Sequence, residues 1–281
     1  MGGGVKHLPL ASAPIGANLL WMMLHRAVAM LAGAALLGSG PAAHAGPFEA
    51  SYTVSQSGLP VLDVDLALQL TDASYRLTSV SRARGLARLF LPSEQRAEVQ
   101  GGLAGREVRP FRYMAEGNWR SGQRRTVLDY IGGSPRLAVL EPPEGPDRIP
   151  VPPDQIEGTI DSLSALVRLS LATAATGRCD LAGSVFDGRR RLEWSSRTLG
   201  AGPAPMAGVA GQALRCALES RLVAGFRRGD DPAEVGKPRE AEAWIAVLGA
   251  GLPPMPVRVE FPSTFLGAMR LDLVRVGPSA P

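Results

Sequence analysis

Apolar and polar residues along most of the chain recur with a period of two. Leu62, Val64, Leu66, Leu68 and Leu70 alternate with Asp63, Asp65, Ala67 and Gln69. Such alternation predicts a strand with one buried face. Thr71–Ser74 has turn composition and Tyr75–Val80 resumes the pattern, which reads as an antiparallel hairpin. Phe48–Val54 precedes it as a strand with Tyr52 and Val54 on one face. Arg96–Gln100, Pro110–Glu116 and Gln123–Tyr130 continue the series, with Gly or Pro between them. This spacing predicts a meandering antiparallel sheet.

Residues 135–153 are rich in proline and acids and read as a long loop, because proline cannot donate to a strand ladder. The period then changes. Leu163, Leu166, Val167 and Leu171 fall at helical spacing, Asp161 is placed to cap the N-terminus, and Gly177 ends the helix. After it, Cys179–Phe186 and Arg189–Ser195 flank Asp187-Gly188 as a hairpin with a turn. Gly200–Gly211 reads as a loop. Gln212–Leu222 alternates again, with Leu214, Cys216 and Leu218 on one face. Ala241–Leu248, Val257–Phe261 and Leu271–Val276 complete the strands, although Leu271, Leu273 and Val276 do not share a face. The expected fold is mainly β (α+β): a single curved antiparallel sheet, or open half-barrel, with one or two short helices.

The first 45 residues have a different character. Lys6 and Arg26 are basic, Ala27–Gly38 is an apolar run of 12, and Ala43-His44-Ala45 is a small-x-small site. Together they read as a secretory signal cleaved after Ala45. A run of 12 is too short to cross the roughly 30 Å hydrocarbon core as a helix, so no membrane span is expected after cleavage. Residues 46–281 would be one exported domain, located in the periplasm of a bacterium.

Composition then excludes several activities. His7, His25 and His44 are the three histidines of the chain, and all lie in the signal. The exported domain would have no Ser-His-Asp triad, Cys-His pair or imidazole zinc site. Lys237, the one lysine left for a Ser-Lys dyad, sits in a polar turn-like segment. No phosphate-cradling glycine motif and no HExxH is present, so neither cofactor nor metal is expected. Thirty basic residues against 26 acids is not a nucleic-acid-binding balance. The enzymatic route left open is a carboxylate pair, with Glu94, Glu98 and Asp161 as candidates. Cys179 and Cys216, in an oxidising compartment, are expected to form a disulfide, with two buried thiols as the alternative.

Several motifs occur in a fixed order: Asp161-Ser-Leu-Ser-Ala165 in a capped helix, a cysteine followed by Phe186-Asp-Gly-Arg-Arg190, Leu214-Arg-Cys216, Ala243-Trp-Ile245, Pro256-Val-Arg-Val-Glu260, and a last strand led by Gly267. This set resembles the domain of unknown function 3108 family of bacterial exported proteins, over roughly Phe48–Val276. The resemblance implies a relative of the periplasmic lipoprotein carriers, an antiparallel half-barrel closed by helices. Fold alone does not fix function.

Individual residues carry paired readings. Asp161 reads as a cap, Asp187 and Gly188 as turn chemistry, and Pro256 as a strand start. Trp119 and Arg120, in a hairpin-loop composition, read as a lid over the core or the rim of a binding site. Arg258 reads as a cross-sheet ion-pair partner or a ligand contact. Leu86–Leu91 reads as a short helix plugging the sheet, with a membrane-touching element as the alternative. The functional expectation is a non-catalytic carrier for an apolar or lipid-like ligand. The alternatives are an envelope scaffold that binds a protein partner, and a carboxylate-based hydrolase.

Overall fold

The computed structural model describes residues 47–119, 122–206, 211–249, 251–264 and 267–278. The signal segment 1–45, its cleavage after Ala45, and Arg120 lie outside the described residues. The first run of strands is β1 (Phe48–Gln56), β2 (Leu59–Leu70), β3 (Ser74–Ala83), β4 (Glu94–Ala104), β5 (Glu107–Trp119), β6 (Gly122–Ile131) and β7 (Ser134–Glu141). Helices α1 (Pro153–Ile156) and α2 (Ser162–Thr176) follow. The second run is β8 (Leu181–Phe186), β9 (Arg191–Pro203), β10 (Gln212–Ala224), β11 (Arg239–Ala246), β12 (Met255–Thr264) and β13 (Gly267–Pro278), with α3 (Pro232–Val235) after β10.

All thirteen strands join one antiparallel sheet in the order β7-β6-β5-β4-β3-β2-β1-β13-β12-β11-β10-β9-β8. Two meanders therefore run outward from a seam where the first strand pairs with the last, from Phe48↔Pro278 to Gln56↔Met269. The predicted alternation sets the two faces. Phe48, Ala50, Tyr52 and Val54 of β1 point inward, as do Leu62, Val64 and Leu68 of β2. Outward, Ser51 and Thr53 donate hydrogen bonds to Asp65 and Asp63, and Arg82 bridges Asp65 and Glu94. Exposed pairs of this kind each contribute little stability.

The sheet curls until it is nearly closed, around α2. Of Leu163–Ser170 every residue except Arg168 is buried, the signature of a helix enclosed on nearly all sides. Residues 142–161 cross from β7 to the opposite edge. Ile149 donates its N–H to the Phe226 carbonyl, Ile160 to Ser184, and Phe186 donates back to Ile160. This crossover covers the outer edge of β8, which would otherwise present unpaired backbone groups. The β8–β9 turn reaches β6 and β7: a Cβ on Gly188 would lie 2.4 Å from Thr126 Cγ2 and 3.4 Å from Leu137 Cδ1.

The structure corrects several expectations. Ser134–Glu141, inside the segment read as a proline-rich loop over 135–153, is the edge strand β7. Pro135 is tolerated there because an edge strand needs ladder bonds on one side only. The strand β9 continues through Pro203, into the segment 200–211 read as a loop. Cys179, read as the first residue of a strand, precedes β8, which begins at Leu181, and β9 runs between β8 and the strand of Cys216. The hairpin turn is centred on Gly188-Arg189, with Asp187 preceding the centre and Phe186 paired to Arg191. Gly85–Leu89 does form a short helix, of the tighter 3₁₀ kind, but Leu86, Leu89 and Phe90 are exposed, so it does not plug the sheet; only Ala87 and Leu91 turn inward. The broken alternation in the last strand is a bulge: Ser51 pairs with Arg275 and Tyr52 with Leu273, leaving Val274 outside.

Candidate functional site

The interior of the barrel is organised by the two ends of α2. At its N-terminus Asp161 is fully buried and accepts the Ser164 N–H (2.8 Å), the Ser164 hydroxyl (2.6 Å) and the Tyr130 hydroxyl (3.1 Å). Tyr75 from β3 contacts Ser164 Oγ at 2.8 Å. Burial pushes the Asp161 carboxyl above its usual range, against the opposing hydrogen bonds from Ser164 and Tyr130. Burial and the nearby Asp161 charge likewise raise the Tyr75 and Tyr130 phenols. At the other end Gly177 closes the helix with φ +69°, its N–H on the Thr173 carbonyl. Two residues later Cys179 is bonded to Cys216, with a Cα separation of 6.3 Å. One helix end is thus held by a polar knot and the other by a covalent bond.

Between these anchors, α2 leaves a small apolar cleft against the inner faces of β1–β3. Phe48, Leu68, Leu77, Leu166, Val167 and Met255 are among its walls, and it holds about 40 Å³ of free space. Tyr52 lines it too. Its hydroxyl is buried and has no hydrogen-bond partner, and burial raises the phenol above its usual range. A buried donor left unsatisfied costs roughly 1–3 kcal/mol. The Trp194 indole N–H, also on the inner side, is a second buried donor without a partner. The sequence reading placed Tyr52 on one strand face with Val54. The signal for Tyr52 was present: a tyrosine, rather than phenylalanine, at an inward position of an alternating strand brings a hydroxyl into that core.

The predicted candidates are dispersed. Trp119 is half-buried at the end of β5, with the Arg124 guanidinium 4.7 Å from its ring centroid. Arg258 lies on the outer face of β12, paired to Asp272 at 2.7 Å and to Glu260 at 3.8 Å. Trp119 and Arg258 therefore do not face a common site. Glu94 and Glu98 alternate with the inward Val99 on β4 and point outward, onto Arg82 and Arg96. Asp161 is inside, so these three carboxylates do not meet in one cleft. Pro256 is the second residue of β12, paired with Ile245 beside a register shift, and also borders the apolar cleft.

Asp187 is a structural hub. It accepts the N–H groups of Arg189 (2.9 Å) and Arg190 (2.7 Å), and binds the Arg190 guanidinium at 2.6 Å. Burial alone would raise its carboxyl; the Arg190 charge and the two backbone donors outweigh it and hold the group below its usual range. Among the described residues no group of three or more His, Cys, Asp or Glu side chains is placed to hold a metal ion. No helix among them is long and apolar enough to cross a membrane.

These features define a barrel-like antiparallel β-protein whose concave side is occupied by its own helix. The chain belongs to the family described as protein of unknown function (DUF3108), which matches residues 51–274. No curated protein and no solved structure matches it.

Proposed function

We propose that the protein is an exported, periplasmic, non-catalytic binding module that carries an apolar or lipid-like ligand. The observation that supports this most directly is the cleft beside Tyr52: apolar walls with one buried, unsatisfied hydroxyl to meet a ligand's polar atom. The free space of about 40 Å³ takes a few waters and no chain. A longer ligand must displace the inward face of α2. Exposing Leu163, Leu166, Val167 and Leu169, with the cap kept, costs on the order of 9 kcal/mol. Each buried methylene returns about 0.8 kcal/mol, so chains of about twelve carbons or more offset that cost and short ones do not.

The filled interior favours a second reading, a scaffold that binds another envelope protein and no small ligand. One experiment separates the two. Protein purified from its native envelope is analysed by native mass spectrometry and lipid extraction, then delipidated and titrated with fatty-acyl ligands of increasing length. The carrier reading expects co-purified lipid and a rise in Tm that begins near twelve carbons. Tyr52→Phe should fold with equal or greater stability and bind polar-headed ligands more weakly. An empty protein with no Tm shift at any length refutes the carrier and leaves the scaffold.

A further inference from the structure

At the corner where the sheet closes, arginines from four separate segments converge beside Trp119. Arg124 comes from β6, Arg189 and Arg190 from the β8–β9 turn, Arg148 from the crossover, and Arg227 from the segment after β10. Two acids among them are already engaged. Glu144 is shared by Arg148 (3.1 Å) and Arg189 (3.3 Å), and Asp187 is taken by Arg190. Arg124 forms no ion pair among the described residues, and its Nε is buried without a hydrogen-bond partner; Arg125, the next residue of β6, lies on the other face of the sheet opposite Glu116. Trp119, Arg124, Asp187 and Arg189 border a cleft with about 50 Å³ of free space, with Thr126 beside them.

Such an arrangement is costly unless something negative joins it. Burial first, and then the like charges of Arg189, Arg227 and Arg190, push the Arg124 guanidinium below its ordinary value. Its stacking on the Trp119 ring fixes the guanidinium plane but supplies no counter-charge. A guanidinium fork matches the spacing of oxygens on a tetrahedral oxyanion and so selects it over a monovalent halide. The cleft is the size of one such group.

We propose that the cleft between Trp119, Arg124 and Arg189 is a binding site for a phosphoryl-type oxyanion, either free or as the head group of a lipid. The site is separate from the apolar cleft beside Tyr52 and stands whether or not that cleft carries a chain. Because its arginines come from both ends of the sheet, an anion bound there also fastens the closure. Asp187 also borders the cleft, but it is held by Arg190; Glu116 pairs across the ladder with Arg96 and Arg125, on the other face of the sheet.

The test uses the exported chain at low ionic strength. Inorganic phosphate is titrated by calorimetry and thermal shift against chloride at matched ionic strength. In parallel, vesicles of phosphatidylcholine with and without one-fifth phosphatidic acid are tested by co-flotation. Saturable phosphate binding on the order of 1 mM or tighter, with a raised Tm, is expected. Arg124→Gln should weaken it about tenfold, and Glu116→Gln, on the other face of the sheet, and Tyr52→Phe should both leave it unchanged. Arg124→Gln removes a charge that its neighbours repel, so its fold, checked by circular dichroism, should persist. Phosphate binding without vesicle binding assigns a soluble phosphorylated ligand. Flotation with acidic vesicles that free phosphate competes away assigns a lipid head group. An effect equal to that of chloride, or one that Arg124→Gln leaves intact, overturns the proposal.

Discussion

Closure of the sheet can be tested at one carbon atom. Gly188 sits in the β8–β9 turn with φ +92°, and its missing Cβ faces Thr126 Cγ2 across the gap between the two ends of the sheet. Gly188→Ala should therefore be destabilising for two separable reasons. The backbone conformation costs a side-chain-bearing residue about 2 kcal/mol. The contact at 2.4 Å adds overpacking of about 2 kcal/mol, because Thr126 is on a strand and cannot withdraw. Thr126→Ser removes Cγ2 and leaves Cβ at 3.6 Å, an ordinary contact. It should thus remove the second contribution and not the first. The assay is urea unfolding of the four members of the double-mutant cycle with the disulfide intact, followed by tryptophan fluorescence and circular dichroism. The expected result is a loss of about 4 kcal/mol for Gly188→Ala alone, and about 2 kcal/mol for the same change in the Thr126→Ser background. Equal losses in both backgrounds would show that the turn does not touch β6 in solution, and the barrel would have to be redrawn as an open sheet.

Two further outcomes follow from the anchors of α2. The Cys179–Cys216 bond closes a loop with sequence separation 37, worth about 4 kcal/mol by loop entropy. The double serine variant should lose that amount and about 8–16 °C in Tm by scanning calorimetry; a loss below about 1 kcal/mol would mean the unfolded chain is already constrained there. The second outcome concerns Asp161. Its folded-state carboxyl is raised by burial, so the folded protein holds the proton more tightly than the unfolded chain does. The resulting stability is full below the unfolded value near 4 and is lost as pH rises toward the folded value. Asp161→Asn keeps an N-cap acceptor and removes the titration. Its stability relative to the parent should improve from pH 4 to pH 7, and a flat or falling difference would refute the assignment.

How much of this was legible beforehand depended on whether the information was local. The strands of the first meander and the cap at Asp161 were readable because alternation, a capping residue and a terminal glycine all act within a few residues. The edge strand β7 was not, because proline signals a break unless its neighbours are known, and only the sheet order shows that β7 has a free side. The disulfide was anticipated from compartment and count, yet the path through β9 was invisible, since strand order is a long-range property. Trp119 was singled out, but its partners were not. Arg124 is five residues away in sequence, whereas Arg189 and Arg227 arrive from the other meander and carry no local pattern that marks them as neighbours.

The way α2 is held constrains what the interior can do. Its first turn is fixed by Tyr75 and Tyr130 on Ser164 and Asp161, and its end is tied through Cys179 to β10. Neither end leaves without exposing a buried polar group or breaking a covalent bond, and both losses are large. The middle is different. Leu166 and Val167 are held by apolar packing, and Ser170 by a hydrogen bond to the Pro254 carbonyl at 3.2 Å. Apolar packing is the one contact that a hydrocarbon chain replaces in kind. Any ligand admitted to the concave side would therefore enter at the Pro253–Pro256 flank of the helix, bowing its centre outward while both ends stay fixed. That places the entrance beside Tyr52, where the buried hydroxyl lacks a partner.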